Sequence, residues 1–239
     1  SNVSADALVL WSDMTKTAPT GKSSKSSSYT FTYAGSPAIR KVKLGVKTYN
    51  AAHCDDSGNA NIQVADTTGI LWFTTCADGG TPTVANDLPF TISMWVYRDS
   101  GASTDDYFWG RNNASNGYIR AYIEATHGKI IFELSSDNTP NKISVTTSEA
   151  LFPDGATSTS WKHVVFTYDG SATVAGMRIY IDGEPYVGGF ADNSNGTYIG
   201  IRPTFSQPFH IGANQVGTNE FDGQIAEVSI WHKALNDED

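Results

Sequence analysis

The chain is 239 residues long, carries a formal net charge of −9, and contains 39% hydrophobic residues, 12% aromatic residues and 22 glycines. That length fits one large all-β domain, since sandwiches of roughly 200 to 250 residues commonly fold as a unit, and the balance of aromatics and glycine suits strands and turns. The acid excess speaks against nucleic acid as the main partner, because neutralising phosphates needs a basic face, and no apolar run approaches the ~20 residues that cross a bilayer, so membrane insertion is not expected.

The opening, SNVSADALVLWSDM, lacks the basic and apolar regions of a signal peptide; either a signal has been removed or that route was never used. Its apolar stretch Ala7 to Trp11 reads as an edge strand, and residues 15–28, rich in Ser, Thr and Lys around Pro19 and Gly21, read as an extended arm. YTFTYAG (29–35) is a strand before a turn at Gly35-Ser36-Pro37. VKLGVKTY (42–49) alternates, with Val42, Leu44 and Val46 expected on one side. Residues 14–47 carry +7 and no acid, whereas residues 48–239 carry −14. The division is therefore a basic N-terminal arm over 1–47 with one or two strands, followed by an acidic domain over 48–239. The arm either docks on an acidic neighbour, as in a homo-oligomer or larger assembly, or is a solvated charged segment. Cys54 and Cys76 either close a disulfide or remain free buried thiols.

FTISMWVYRD (90–99) places Phe90, Ile92, Met94 and Val96 on one face and Trp95 and Tyr97 on the other. YFWGRNNASNGYIRAYI enters two strands around an Asn-rich turn; alternation puts Tyr107 and Trp109 together and Phe108 opposite. KIIFELSSD (129–137) is a further strand, and residues 137–160 form a long polar loop. In MRIYIDGEPY, Met177, Ile179 and Ile181 share a face, and Asp182-Gly183 closes a hairpin whose central residues need positive φ. In FDGQIAEVSIW the apolar spacing breaks at Ala226-Glu227, the mark of a β-bulge that re-aims the Glu227 carboxylate. Helix is limited to a turn near residues 234–239. So many half-buried strands pack as two antiparallel sheets face to face.

The ordered motifs W-x-H-V-x-x-x-Y-D-G from Trp161, R-x-Y-x-D-G from Arg178, and F-x-G-x-I-x-E-V-x-I-W-x-x-A-L from Phe221 resemble the laminin-G-like branch of the concanavalin A-like lectin/glucanase superfamily. FTISMWVYRD resembles that domain's opening strand, and AAHCDDSGNANIQVADTTGILWF (51–73) its first hairpin. The resemblance spans about residues 48–235 and implies an all-β, two-sheet antiparallel jelly-roll sandwich with an N-terminal extension.

It also directs the search for chemistry. Glucanases of the superfamily set two carboxylates about 5 Å apart on one strand for retaining hydrolysis. No Glu-x-Asp-x-(x)-Glu triplet occurs here, and Glu124, Glu133, Asp182 and Glu184 read as surface charges. No Gly-x-Ser-x-Gly is present, the histidines are scattered, and His163 reads as a structural strand residue. Laminin-G-like domains frequently hold Ca2+ at the rim through oxygen ligands; the corresponding places are Asp55, Asp56, Asn59 and Glu227, although Ala226 and Ala60 stand where the family often has Asp or Asn. Sugar binding in such folds uses an aromatic platform with polar neighbours, and Tyr107, Trp109, Arg111, Asn112 and Asn113, followed by Tyr118 and Tyr122, form the densest cluster of that kind. The expected function is a non-catalytic module recognising a glycan or protein on a surface, extracellular or on a virion. The alternative is a structural virion-surface protein, such as a phage capsid decoration or tail-fibre component, and a glycoside-active enzyme ranks third.

Overall fold

The computed structural model describes residues 8–12, 20–21, 29–55, 59–65, 73–77, 80–99, 104–112, 117–137, 141–152, 157–202, 207–214, 217–237 and 239, with backbone alone described at 8–12, 20–21, 29–31 and 112. Its strands in chain order are β1 (Leu8–Ser12), β2 (Thr20–Gly21), β3 (Tyr29–Ala34), β4 (Ala38–Leu44), β5 (Lys47–Cys54), β6 (Asn61–Ala65), β7 (Phe90–Arg98), β8 (Asp106–Asn112) and β9 (Tyr118–Ile123). There follow β10 (Ile130–Ser135), β11 (Lys142–Thr147), β12 (Lys162–Tyr168), β13 (Met177–Ile181), β14 (Glu184–Pro185), β15 (Phe190–Asp192), β16 (Phe209–Ile211) and β17 (Gly223–Trp231). The first sheet has eight strands in the order β14-β13-β12-β7-β17-β5-β4, with β1 also paired to β17; the second has nine, β15-β11-β10-β9-β8-β16-β6-β3-β2.

Alternation explains why the sheets pack face to face. Phe90, Ile92, Met94 and Val96 of β7 and Val164, Phe166 and Tyr168 of β12 are all fully buried, and they meet Ile119, Ala121, Phe132, Leu134, Phe209 and Ile211 from the second sheet. The Asp182-Gly183 hairpin forms as expected, with φ of 55° and 89°. The bulge forms too: against β7, the register of β17 shifts between Ala226 and Ser229, and Glu227 has φ 50°.

Several expectations are corrected. Residues 42–49 are not one strand: β4 turns at Gly45-Val46 into β5, which leaves Val46 fully exposed at the tip. Residues 51–73 do not make a hairpin, because β5 joins the first sheet and β6 the second, tied at the corner by a bridge between Asp55 and Ala60. The polar loop after residue 137 contains β11, and no helix forms among the described residues of 234–239; short 3-10 turns lie at Val84–Asn86 and Val174–Gly176. Cys54 and Cys76 are separate, buried thiols, and burial, with Glu220 adding to it, pushes the Cys54 thiol up to about 12. The described parts of residues 1–47 supply β1 to β4, which pair into both sheets; the rest of that arm lies outside the described residues.

Candidate functional site

The expected aromatic cluster is divided by a bulge. On β8, Tyr107 pairs with Tyr122 and Trp109 with Ala121, so Phe108 is the extra residue. The consequence is that Phe108 and Trp109 both enter the core, where Trp109 stacks on Phe209 with ring centroids 5.8 Å apart. Trp109 has no exposed surface and offers no platform to a ligand, and Arg111, paired with Ile119 on the same inward register, is also buried. Tyr107 stays on the outer face but is only 4% exposed, stacked on Tyr122 at 4.7 Å. Asn112 ends β8 opposite Tyr118, and Asn113 lies outside the described residues.

Around these tyrosines the second sheet builds a charged cluster that the sequence reading missed. Arg120 of β9 lies 4.1 Å from the Tyr118 ring centroid and 5.2 Å from that of Tyr122. Its Nε donates to Glu133 at 2.7 Å, and Lys142 donates to the other oxygen of the same carboxylate. Glu133 is therefore not a surface charge: although burial favours its neutral acid, Arg120 and Lys142 hold the carboxyl below the usual range. The cross-strand register Arg120, Glu133, Ser144 produces the cluster, which only the strand pairing reveals. With Tyr107, Tyr122 and Glu133 so little exposed, it stiffens the sheet rather than presenting a surface.

The outer face of the first sheet is more open. A cavity of about 210 Å³ is lined by Ser93, His163, Val165, Tyr180, Trp231 and Leu235, with Ser93 buried and Tyr180 and Trp231 half-buried. The register brings them together: Tyr180 lies opposite Val165, Val165 opposite Ser93, and Ser93 opposite Ser229, while Trp231 lies opposite Thr91. Beside it, His163 packs on Trp95 at 5.1 Å, and Tyr97 on Trp161 at 5.8 Å. The segment after β17 closes one side, held where Thr91 Oγ1 donates to Lys233 O at 2.7 Å and accepts from Leu235 N at 2.9 Å. Sequence alternation put Trp95 on the face opposite the core, and His163 read only as a structural strand residue; the partnership with Tyr180 and Trp231 needed the pairing.

Inside the cavity Ser93 Oγ and His163 Nε2 are 2.7 Å apart. Burial lowers the His163 pKa against the opposing charge of Asp182, which favours the neutral ring, and the ring tautomer sets which of the two atoms donates. A hydrolytic triad also needs a carboxylate on Nδ1 to orient the imidazole. Asp182 instead accepts from the His163 backbone N–H at 2.8 Å. The pair is thus a hydrogen-bonding couple of one hydroxyl and one ring, suited to holding a ligand.

The rim residues do not make one calcium shell. Asp55 and Asn59 flank the corner between β5 and β6, and Asp56 lies outside the described residues. Because Gly223 pairs with Cys54 and Ala226 with Ala51, Glu227 sits about five residues along β5 from Asp55, a separation of about 16 Å at ~3.3 Å per residue. Ligand oxygens around Ca2+ lie within roughly 2.3 to 2.6 Å of the ion, so Asp55 and Glu227 are too far apart to ligate the same one. Among the described residues no three His, Cys, Asp or Glu side chains gather as metal ligands.

No curated protein matches the sequence. Among solved structures, a receptor binding domain is similar at a TM-score of 0.62 and 16% identity, over 99% of this chain and 50% of that one. The binding domain of botulinum neurotoxin DC in complex with rat synaptotagmin II is similar at 0.61 and 14%, and the same domain in complex with SialylT at 0.60 and 15%, each over 98% of this chain and 50% of that one. The chain thus spans about half the length of these structures, and at such identities the likeness is one of fold. A laminin-G-type sequence profile matches residues 56–239. With the two-sheet sandwich, that match shows that the chain belongs to the concanavalin A-like lectin/glucanase superfamily.

Proposed function

We propose that this domain is a non-catalytic recognition module that seats a sugar of a surface glycan in the cavity between Trp231 and Tyr180. The observation that carries the reading is that two half-buried aromatic side chains, Trp231 and Tyr180, and two polar ones, Ser93 and His163, line one cavity on the outer face of the first sheet. A pyranose has an apolar ring face that packs on an aromatic and a belt of hydroxyls that needs donors and acceptors; Trp and Tyr supply both kinds of contact. At about 210 Å³ the cavity lies below the roughly 300 to 1,000 Å³ of sites for drug-sized ligands, the scale of one sugar ring rather than of a long chain. Structural neighbours in complex with a protein and with SialylT support surface recognition as the general role, and the reading is of a module that works outside cells or on a particle surface.

A glycan array followed by calorimetry tests this. A positive glycan should lose at least about tenfold in affinity on Trp231→Ala, the equivalent of ~1.4 kcal/mol, while Tyr118→Ala on the opposite sheet leaves affinity unchanged. Equal binding by Trp231→Ala and wild type would remove the cavity as the site. A clean negative across bacterial, algal and animal glycans would remove the glycan reading itself.

A further inference from the structure

Charge is polarised across the strand order of the first sheet. At one edge, β4 is the terminal strand, and the β4–β5 hairpin carries Arg40, Lys41, Lys43 and Lys47, all exposed, with no acid between residues 38 and 50. None of the four has an ion-pair partner among the described residues. β17 pairs with β5 only from Ala51 to Cys54; beyond the bulge at Ala226-Glu227 it pairs with β1 instead. Residues 41–50 are left as a two-stranded ribbon, laddered with itself alone among the described residues and tipped by the fully exposed Val46. A lone ribbon is marginally stable in water, and like charges along it add repulsion. Such a feature gains most from an anionic partner.

The opposite edge has the opposite sign. Asp182 and Glu184 of the β13–β14 hairpin, Glu149 after β11 and Asp192 of β15 are all exposed. The edges of the two sheets meet there, since Glu149 N donates to Tyr186 Oη at 3.2 Å and Ser148 N to Gly189 O at 3.2 Å. The one exposed cation described on β13, Arg178, turns its guanidinium to the carbonyl of Met177. Six inter-strand spacings separate β14 from β4, about 29 Å at ~4.8 Å each. That distance keeps the two edges of one chain from neutralising each other at physiological salt, where the Debye length is ~8 Å.

We propose that the cationic β4–β5 ribbon of one copy docks on the acidic β14–β15 edge of a second copy. The two surfaces differ, so the contact is head to tail and propagates into a ring or a filament rather than stopping at a two-fold dimer. Short-range pairing outweighs the mutual repulsion of two chains of net charge −9 once salt screens the longer distances. This arrangement does not depend on sugar binding.

The test is sedimentation of the full chain at an ionic strength of about 0.1 M and again at about 1 M, where the Debye length falls to ~3 Å. The mean mass should exceed that of a single chain at low salt and return to it at high salt. Two charge-reversal variants sharpen the result: Lys41→Glu with Lys43→Glu, and Glu149→Lys with Glu184→Lys. Each alone should weaken self-association at least about tenfold, because the altered surface then carries no net charge and the attraction across the contact is lost. Mixed in equal amounts they should form one-to-one complexes, since the first keeps its acidic edge and the second its cationic ribbon. All four positions are exposed, so unchanged thermal melts are expected and exclude unfolding as the cause. A monomeric wild type at low salt, association indifferent to both variants, or a mixture that stays monomeric would each overturn the proposal.

Discussion

Arg98 of β7 and Asp106 of β8 meet between the two sheets, Nε to Oδ2 at 2.6 Å, with neither side chain reaching solvent. Arg98 Nη1 also donates to Phe152 O at 3.3 Å, so one guanidinium joins both sheets to the segment before β12. Removing one partner of a buried pair leaves an uncompensated charge, which typically costs ~3 to 5 kcal/mol, whereas replacing both with apolar groups is often close to neutral. Asp106→Ala should therefore lower the stability read from urea unfolding by that amount, and Arg98→Met with Asp106→Leu should recover most of it. A single-variant loss below about 1 kcal/mol would show the pair to be incidental.

The acid response should contain two opposed contributions. His210 is 4% exposed beneath Gly217, and burial holds its pKa down at about 4. The unfolded chain takes up that proton near the ordinary value of ~6.5. Stability from a buried neutral His210 is thus present above ~6.5 and lost as pH falls toward 4, on the order of 3 kcal/mol in all. Asp106 runs the other way: burial, against Arg98, raises its carboxyl to about 6, so the folded state binds the proton more tightly and acidification through that value adds stability. His210→Asn should expose the imbalance, gaining on the order of 3 kcal/mol relative to wild type between pH 7 and pH 4. Parallel pH curves for the two proteins in chemical unfolding would refute the assignment.

Two glycines separate conformational strain from steric exclusion. Gly183, at φ 89° in the hairpin turn, has nothing within 4 Å of an added Cβ. Gly183→Ala should cost only the left-handed penalty of ~1 to 2 kcal/mol, a Tm loss of a few degrees, about 2 to 4 °C per kcal/mol in a chain this size. At Gly223 the added Cβ would lie 2.2 Å from Tyr97 O and 2.9 Å from Arg98 Cα, both backbone atoms that cannot rotate away. Gly223→Ala should lower Tm more than twice as far or prevent folding. Similar melts for the two variants would contradict this.

What the sequence determined by itself was local. The period of two in 90–99 and 177–181 set which side chains face the core, because successive residues on a strand point to opposite faces. Asp182-Gly183 and the broken spacing at Ala226-Glu227 announced a turn and a bulge through backbone sterics that act within a few residues. Tertiary structure decided whatever depended on which strand lies beside which. A single inserted residue at Phe108 carried Trp109 from an expected platform into the core, since a one-residue slip reverses every face that follows. Glu133 became a buried anion because Arg120 and Lys142 arrive on neighbouring strands, and Ser93, His163, Tyr180 and Trp231 form a cavity only because β7, β12, β13 and β17 are adjacent in the sheet. The opposed charges of β4 and β14 were visible as residues in the chain, but that they occupy the two edges of one sheet follows from strand order, which hydrogen bonding across more than a hundred residues sets.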